Sequence, residues 1–390
     1  MSIALILILG ILLNLLFKRM HLPALVGYLL LGIVFGPYVF NLMHPTLLEL
    51  SPDIRRIALI IILTRAGLSL NLKDLVKVGR PALLMTFVPA TIEIMASVIL
   101  GPILLGFSIV QSLIVGAILA AVSPAVIVPR MVDFIHEGRG VDRQIPQVIL
   151  TGATADDIYV LVLFGAFTSL AVSGNFSVMS IIALPISIIL AIIVGMLLGR
   201  VLDKLIDQLQ LNQAFQIALL IALSLVLLMV EDHSNGFFSG MLAVITLNIM
   251  LLSKNPPRAH NLSHGFNQLW QVAEIFLFAL VGMSLDPSYV VQAGITPVIF
   301  IALLSFIRLI VGVNLCLIGT PYTKSERLFM MVSYLPKATV QAAIGAVPLS
   351  MGISGGELML TLAGLSILIT APIGALLIDN LAPKLLSKNT

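Results

Sequence analysis

The stretch "GMSLDPSYV", residues 282–290, is an imperfect second copy of "GLSLNLKDL", residues 67–75. The sequence downstream of the two copies matches as well. Glu93 lies 26 residues after Gly67 and Arg308 lies 26 after Gly282, so each copy leads to one ionisable side chain inside an apolar run, with opposite sign. Pro124 in "VSPAVIVP" comes 57 residues after Gly67, and Pro336 in "YLPKATVQAAIG" comes 54 after Gly282; both interrupt an apolar run near its middle. A proline there removes a backbone donor and clashes with the preceding turn, which frees carbonyls and exposes helix ends. Ser123, Thr339 and Gln341 stand nearby as small or polar groups to re-satisfy that backbone.

The runs are membrane-grade. Of 390 residues, 59% are hydrophobic and 10% charged, with mean hydropathy +1.13, against about 25% charged in a soluble domain. Runs able to cross about 30 Å of hydrocarbon fall at 2–17, 22–37, 55–70, 80–106, 109–131, 146–173, 178–203, 213–230, 236–253, 266–284, 292–319, 324–351 and 356–380. The expected fold is therefore an all-α integral membrane protein of about thirteen transmembrane helices. Lys18 and Arg19 follow the first run and nothing basic precedes it, which fits a retained anchor rather than a cleaved signal. With thirteen crossings, sixteen Lys and Arg of the connections, Arg130 and Arg200 among them, fall on one side and only Arg55 and Arg56 on the other. The positive-inside rule then puts the N-terminus outside and the C-terminus in the cytoplasm, with a cell (inner) membrane as the expected location. The net charge of +3 and pI near 9.0 reflect this loop bias and imply no nucleic-acid partner. The single Cys316 excludes an intrachain disulfide and reads as packing.

The copies begin seven spans apart, an odd number, so they cross the membrane in opposite directions. Spans 1–6 then match spans 8–13, with 178–203 as a connector. Inverted repeats of this kind typify secondary transporters, where two helices broken at mid-membrane meet near a substrate site. Within the sixth span, "TGATADDIYV" at 151–160 holds Asp156 and Asp157 side by side. A charge at that depth costs roughly 2.5–3.5 kcal/mol on insertion scales, so a pair requires a reason. Arg65, Arg308, Lys337, Glu93 and Glu274 are the other charges well inside spans, and all six histidines fall in loops or at span ends. Carboxylates are then the groups left to handle protons at membrane depth.

"SPAVIVP", "TADDIYVL", "ALVGMSLD", "SFIRLIVG" and "LPKATVQAAIG", in this order, resemble the monovalent cation:proton antiporters, specifically the NHA-type Na⁺/H⁺ antiporters of their second branch. The resemblance covers nearly the whole chain. It implies a homodimer, with 1–70 and 213–284 mainly dimerisation domain, 80–173 and 292–380 an ion-transporting core that moves as an elevator, and 178–203 the connecting helix. It implies no cofactor, only transported Na⁺ or Li⁺ and H⁺. In this family the second Asp of the pair carries the ion and proton, a role that passes to Asp157; the first, found in branches described as electrogenic, passes to Asp156. Many electrogenic relatives have a proton-releasing Lys where this chain has Arg308, and a guanidinium does not release a proton near neutrality. A two-proton stoichiometry is put in doubt.

The chemistry agrees. Na⁺ and Li⁺ are hard cations that take oxygen ligands, and a desolvated carboxylate binds a cation or a proton, not both at once. A structural pairing of Asp156 or Asp157 with Lys337 or Arg308 is the competing expectation. Glu93 and Arg308 read as a buried pair joining the two halves of the core, and Lys337, next to Pro336, is placed to meet helix-end carbonyls or a carboxylate. Arg65 and Glu274 receive no role in exchange. A K⁺/H⁺ antiporter or K⁺ efflux system would share the core, although the latter normally appends a nucleotide-binding domain and only about ten residues follow the last run. A channel would show broken helices without an obligatory proton site. An enzyme is disfavoured, since no nucleophile motif, metal-ligand His cluster or phosphate loop is present.

Overall fold

Unbroken apolar sequence leaves the backbone no partner but itself in a bilayer, so it folds as helix. The computed structural model describes residues 2–69, 79–172, 178–234, 237–288, 291 and 294–388. Its helices begin with α1 (Ser2–Arg19), α2 (Ala24–Phe35), the short α3 (Pro45–Glu49) and α4 (Ser51–Ser69). Next come α5 (Arg80–Met85), α6 (Val88–Leu105), α7 (Ile109–Ala120), α8 (Pro124–His136) and α9 (Ile145–Val172). Then follow α10 (Val178–Leu209), α11 (Gln213–His233), α12 (Gly240–Lys254) and α13 (Pro256–Ser284). α14 (Thr296–Ile307) runs through a π-helical turn, Arg308–Val313, into α15 (Asn314–Leu317). The last are α16 (Lys324–Ser333), α17 (Thr339–Ile344), α18 (Val347–Ser350) and α19 (Gly356–Leu385).

Every expected apolar run holds helix. Among the described residues nine helical stretches are long and apolar enough to cross a membrane, and Ala24–Phe35, Gly240–Lys254 and Thr339–Ser350 are shorter apolar ones, so a count of thirteen rests on taking shorter or more polar helices as crossings. Several helices outrun their apolar stretch. α8 continues to His136, α10 to Leu209, and α13 starts at Pro256, so Lys204, Arg258, His260 and His264 lie on helices rather than in connections, and Arg130 and Arg200, counted with the connections, lie within helices at the ends of their runs. Hydropathy marks where hydrocarbon begins, whereas the backbone ladder continues wherever residues tolerate helix.

Contacts divide the chain into one unit of Met1–Ser51, Asn71–Val160 and Ile275–Thr390 and another of Pro52–Leu70 and Leu161–Glu274. The leading glycines of the two copies are helix crossings in their own units; residues 70–75 of the first copy and 289–290 of the second lie outside the described residues. In the first unit a Cβ on Gly282 of α13 would lie 2.2 Å from the Leu29 carbonyl oxygen of α2. In the second unit a Cβ on Gly67 of α4 would lie 2.7 Å from the Ile245 carbonyl oxygen of α12. α2 and α12 are the second spans of the two copies, α4 and α13 the third. Each glycine therefore packs on the helix contributed by the other copy, a reciprocity expected of an inverted repeat.

Both proline runs are broken. After α7 the backbone is extended at Ala121 and Ser123, and Pro124 opens α8. After α16, residues 335–338 are non-helical and include Pro336 and Lys337 before α17 starts at Thr339.

Candidate ion site at the helix breaks

A helix that stops inside apolar surroundings leaves its last carbonyls without partners. At the end of α7 three side chains from the second copy meet them. Gln341 Nε2 donates to the Ala121 carbonyl at 2.8 Å, Arg308 Nη1 to the Ala120 carbonyl, and Lys337 Nζ to the Leu119 carbonyl. Two of the three are cations placed at the negative end of a helix. The breaks also touch through backbone, the Ser123 N–H donating to the Pro336 carbonyl at 2.8 Å.

The N–H groups are capped in a matching way in both copies. Asp156 Oδ2, from α9, accepts the Val122 N–H at 3.0 Å, and Thr370 Oγ1, from α19, accepts the Lys337 N–H at 2.9 Å. One copy thus uses a carboxylate where the other uses a hydroxyl. Ser123 and Thr339, expected to re-satisfy the breaks, do not. Their hydroxyl oxygens find no hydrogen-bond partner among the described residues, nor do Asp156 Oδ1 and Gln341 Oε1, because the opposite break and the long side chains already occupy the backbone groups.

The charges form a chain. Lys337 Nζ lies 2.6 Å from Glu93 Oε1, Arg308 Nη1 lies 3.0 Å from Glu93 Oε2, and Arg308 Nη2 lies 2.9 Å from Asp156 Oδ2. Glu93, Asp156 and Arg308 are fully buried, Lys337 is 1% exposed and Asp157 7%. The Arg308 guanidinium also stands 5.6 Å over the Tyr334 ring. Close helix packing places the pair: a Cβ on Gly312 would sit 2.8 Å from Pro89 Cα, one turn from both Arg308 and Glu93. The π-helical turn starts at Arg308, and such widened turns recur at functional sites.

Equal spacing pointed to Glu93 facing Arg308. It did not show that Arg308 also holds Asp156, or that Lys337 shares Glu93; the signal available was the balance of charges buried in the two copies. Cys316 is buried, with its thiol 3.3 Å from the Gly312 carbonyl. In the other unit, Arg65 Nε donates to Asn267 Oδ1 at 2.7 Å and the Arg65 guanidinium stands 5.2 Å over Trp270.

This arrangement offers buried oxygens, carboxylates and hydroxyls to a hard cation, with two fixed positive charges beside them. Comparisons with known proteins bear on the fold and the family. The fold matches that of the sodium proton antiporter MjNhaP1 from Methanocaldococcus jannaschii, with TM-score 0.79 and 21% identity over 98% of this chain and 97% of that one. Sodium/hydrogen exchanger 9B2 of Mus musculus is 32% identical over 383 residues, covering 94% of this chain and 69% of the relative. Sodium/hydrogen exchanger 9B1 of Homo sapiens is 30% identical over 385 residues, covering 94% and 73%. The family profile described as "Sodium/hydrogen exchanger, transmembrane" matches residues 3–382. The resemblance carried by the proline, aspartate and arginine motifs is thereby made concrete: this chain belongs to the sodium/hydrogen exchanger family, multi-pass membrane proteins that exchange ions rather than catalyse reactions.

Proposed function

We propose that this protein exchanges Na⁺ or Li⁺ for H⁺ by competition at Asp157. The observation that carries the reading is the difference in exposure within the pair: Asp156, held by Arg308 and the Val122 N–H, is fully buried, and Asp157 beside it keeps 7% exposure. Ser123 Oγ, Thr339 Oγ1, Gln341 Oε1 and Asp156 Oδ1, all around the breaks, are oxygens without a protein hydrogen bond among the described residues, a donor set suited to a small hard cation.

Charge counting supports one-for-one exchange. Glu93, Asp156 and Asp157 against Arg308 and Lys337 leave one negative charge when all are ionised. A single monovalent cation or a single proton at Asp157 cancels it, and the neutral core crosses the bilayer more readily than the charged one. In this reading 80–173 and 292–380 move as an elevator against 1–70 and 213–284, joined by 178–203 in a homodimer. Thirteen crossings put the N-terminus outside and the C-terminus in the cytoplasm of the cell membrane.

The test is transport by purified protein in liposomes with an imposed pH gradient and a clamped membrane potential, scanning Na⁺, Li⁺ and K⁺. Proton movement that depends on Na⁺ or Li⁺ and is lost in Asp157→Asn is the expected result. Movement with K⁺ alone would make the protein a K⁺/H⁺ antiporter. Cation flux without proton movement would make it a channel and end this reading.

A further inference from the structure

The half-helix leaving the first break is weakly held by its own backbone. α8 has 13 residues, opens on Pro124 and contains Pro129, so its ladder lacks the donor that would meet the Ala125 carbonyl. Arg130, one residue beyond the inner proline, ties the half-helix to its neighbours. Its Nε and Nη2 donate to Asp379 Oδ1 and Oδ2 at 2.7 and 2.9 Å. Its Nη1 donates to the Val126 carbonyl at 3.0 Å, and Nη2 also reaches the His21 carbonyl at 3.4 Å. One guanidinium joins α8, α19 and the turn between α1 and α2.

The connection is directional. Asp379 lies on the helix whose Thr370 caps the other break, so the fork ties the segment leaving one break to the helix that closes its counterpart. A planar two-bond arginine–carboxylate pair fixes angle as well as distance, which a lysine does not. The second copy has no counterpart: its half-helix α17, "TVQAAI", carries no charge. Arg130 and Asp379 retain 16% and 35% side-chain exposure, so the pair is a rim feature of this unit rather than part of the buried charge chain.

We propose that Arg130 is a positioning residue for exchange: its fork with Asp379 fixes the direction in which α8 points its N-terminal end at the Ser123 break, and thereby sets the apparent affinity for the transported cation. The inference rests on the exchange reading above and goes beyond it by placing an affinity determinant outside the carboxylate pair.

The test uses the full chain in liposomes, comparing the parent with Arg130→Lys, Asp379→Asn, Asp379→Glu and the Arg130→Lys/Asp379→Asn double variant. The half-saturating Na⁺ or Li⁺ concentration should rise about tenfold in the first two, the equivalent of one charge-assisted hydrogen bond, while the maximal rate stays within about a factor of two. The double variant should be no worse than either single one, because both remove one shared interaction. Asp379→Glu should lie nearer the parent than Asp379→Asn. In the same samples, hydrogen–deuterium exchange should quicken over residues 121–130 and not over 145–155. An unchanged half-saturating concentration with a slower maximal rate, or unchanged deuterium uptake over 121–130, would overturn the proposal. A parent that moves no cation against protons would remove the exchange reading, and the deuterium comparison would still decide whether Arg130 positions α8.

Discussion

Arg308 reaches Glu93 and Asp156 at once, and Lys337 shares Glu93, so neutralising one member leaves another charge unanswered in a buried place. Breaking such a pair from one side costs about 3–5 kcal/mol. Glu93→Gln or Lys337→Met alone should therefore lower the melting temperature sharply. The double variant Glu93→Gln/Lys337→Met, which leaves Arg308 on Asp156, should recover much of the loss in a double-mutant cycle. Additive single effects would mean that the Glu93–Lys337 contact contributes nothing to stability. At the carboxylate pair, Asp157→Asn should abolish cation-dependent proton movement in a folded protein. Asp156→Asn keeps an oxygen for the Val122 N–H but loses the ionic partner of Arg308, so it should leave residual exchange with weaker cation affinity. If it is as inactive as Asp157→Asn, Asp156 is an essential ligand. Equal spacing from Gly67 and Gly282 made the Glu93–Arg308 level legible in the sequence. How many partners one guanidinium takes was not legible, because that depends on where five N–H donors point in space rather than on separation along the chain.

Helix breaks announced themselves through Pro124 and Pro336, since a proline's missing donor is a property of the residue itself. The π-helical turn at Arg308–Val313 did not: "RLIVGV" has the same apolar character in an α-helix, and the widening is settled by what packs against it. The packing is close. Because a Cβ on Gly312 would lie 2.8 Å from Pro89 Cα, Gly312→Ala should force α6 and the widened turn apart, costing about 1–3 kcal/mol of stability. Exchange should fall as well, since Glu93 and Arg308 lie one turn away on the separated helices. A variant that melts like the parent and exchanges normally would show that the turn yields without moving the ion pair. Helix ends were the least legible feature: Arg130 sits seven residues inside a helix that apolar sequence alone would have ended near it.

For the molecule as a whole, competition between a cation and a proton has a thermal signature. A cation that binds only the deprotonated site stabilises the fold by RT ln(1 + [L]/Kd), about 2.7 kcal/mol at one hundred times Kd. In the proposed exchange protons take the same site on acidification, so Na⁺ or Li⁺ should raise the melting temperature at alkaline pH and progressively less as pH falls. Asp157→Asn should abolish the shift; a shift equal at all pH values would place the cation elsewhere. The repeat made the overall plan legible because it was written twice, at Gly67 and Gly282, and it was the glycines' crossed partners that gave the two copies their physical relation. Those crossed partners also bear on how the chain is made. When α4 leaves the ribosome its seat on α12 does not yet exist, and α2 must wait longer still for α13. At ordinary synthesis rates, about 5–20 residues per second, each small-residue face stands open for on the order of ten seconds. Lipid or the insertion machinery must cover these faces meanwhile. A chain arrested between α4 and α12 should therefore be a prime substrate for membrane quality-control proteases, whereas one arrested after α13 should already resist them.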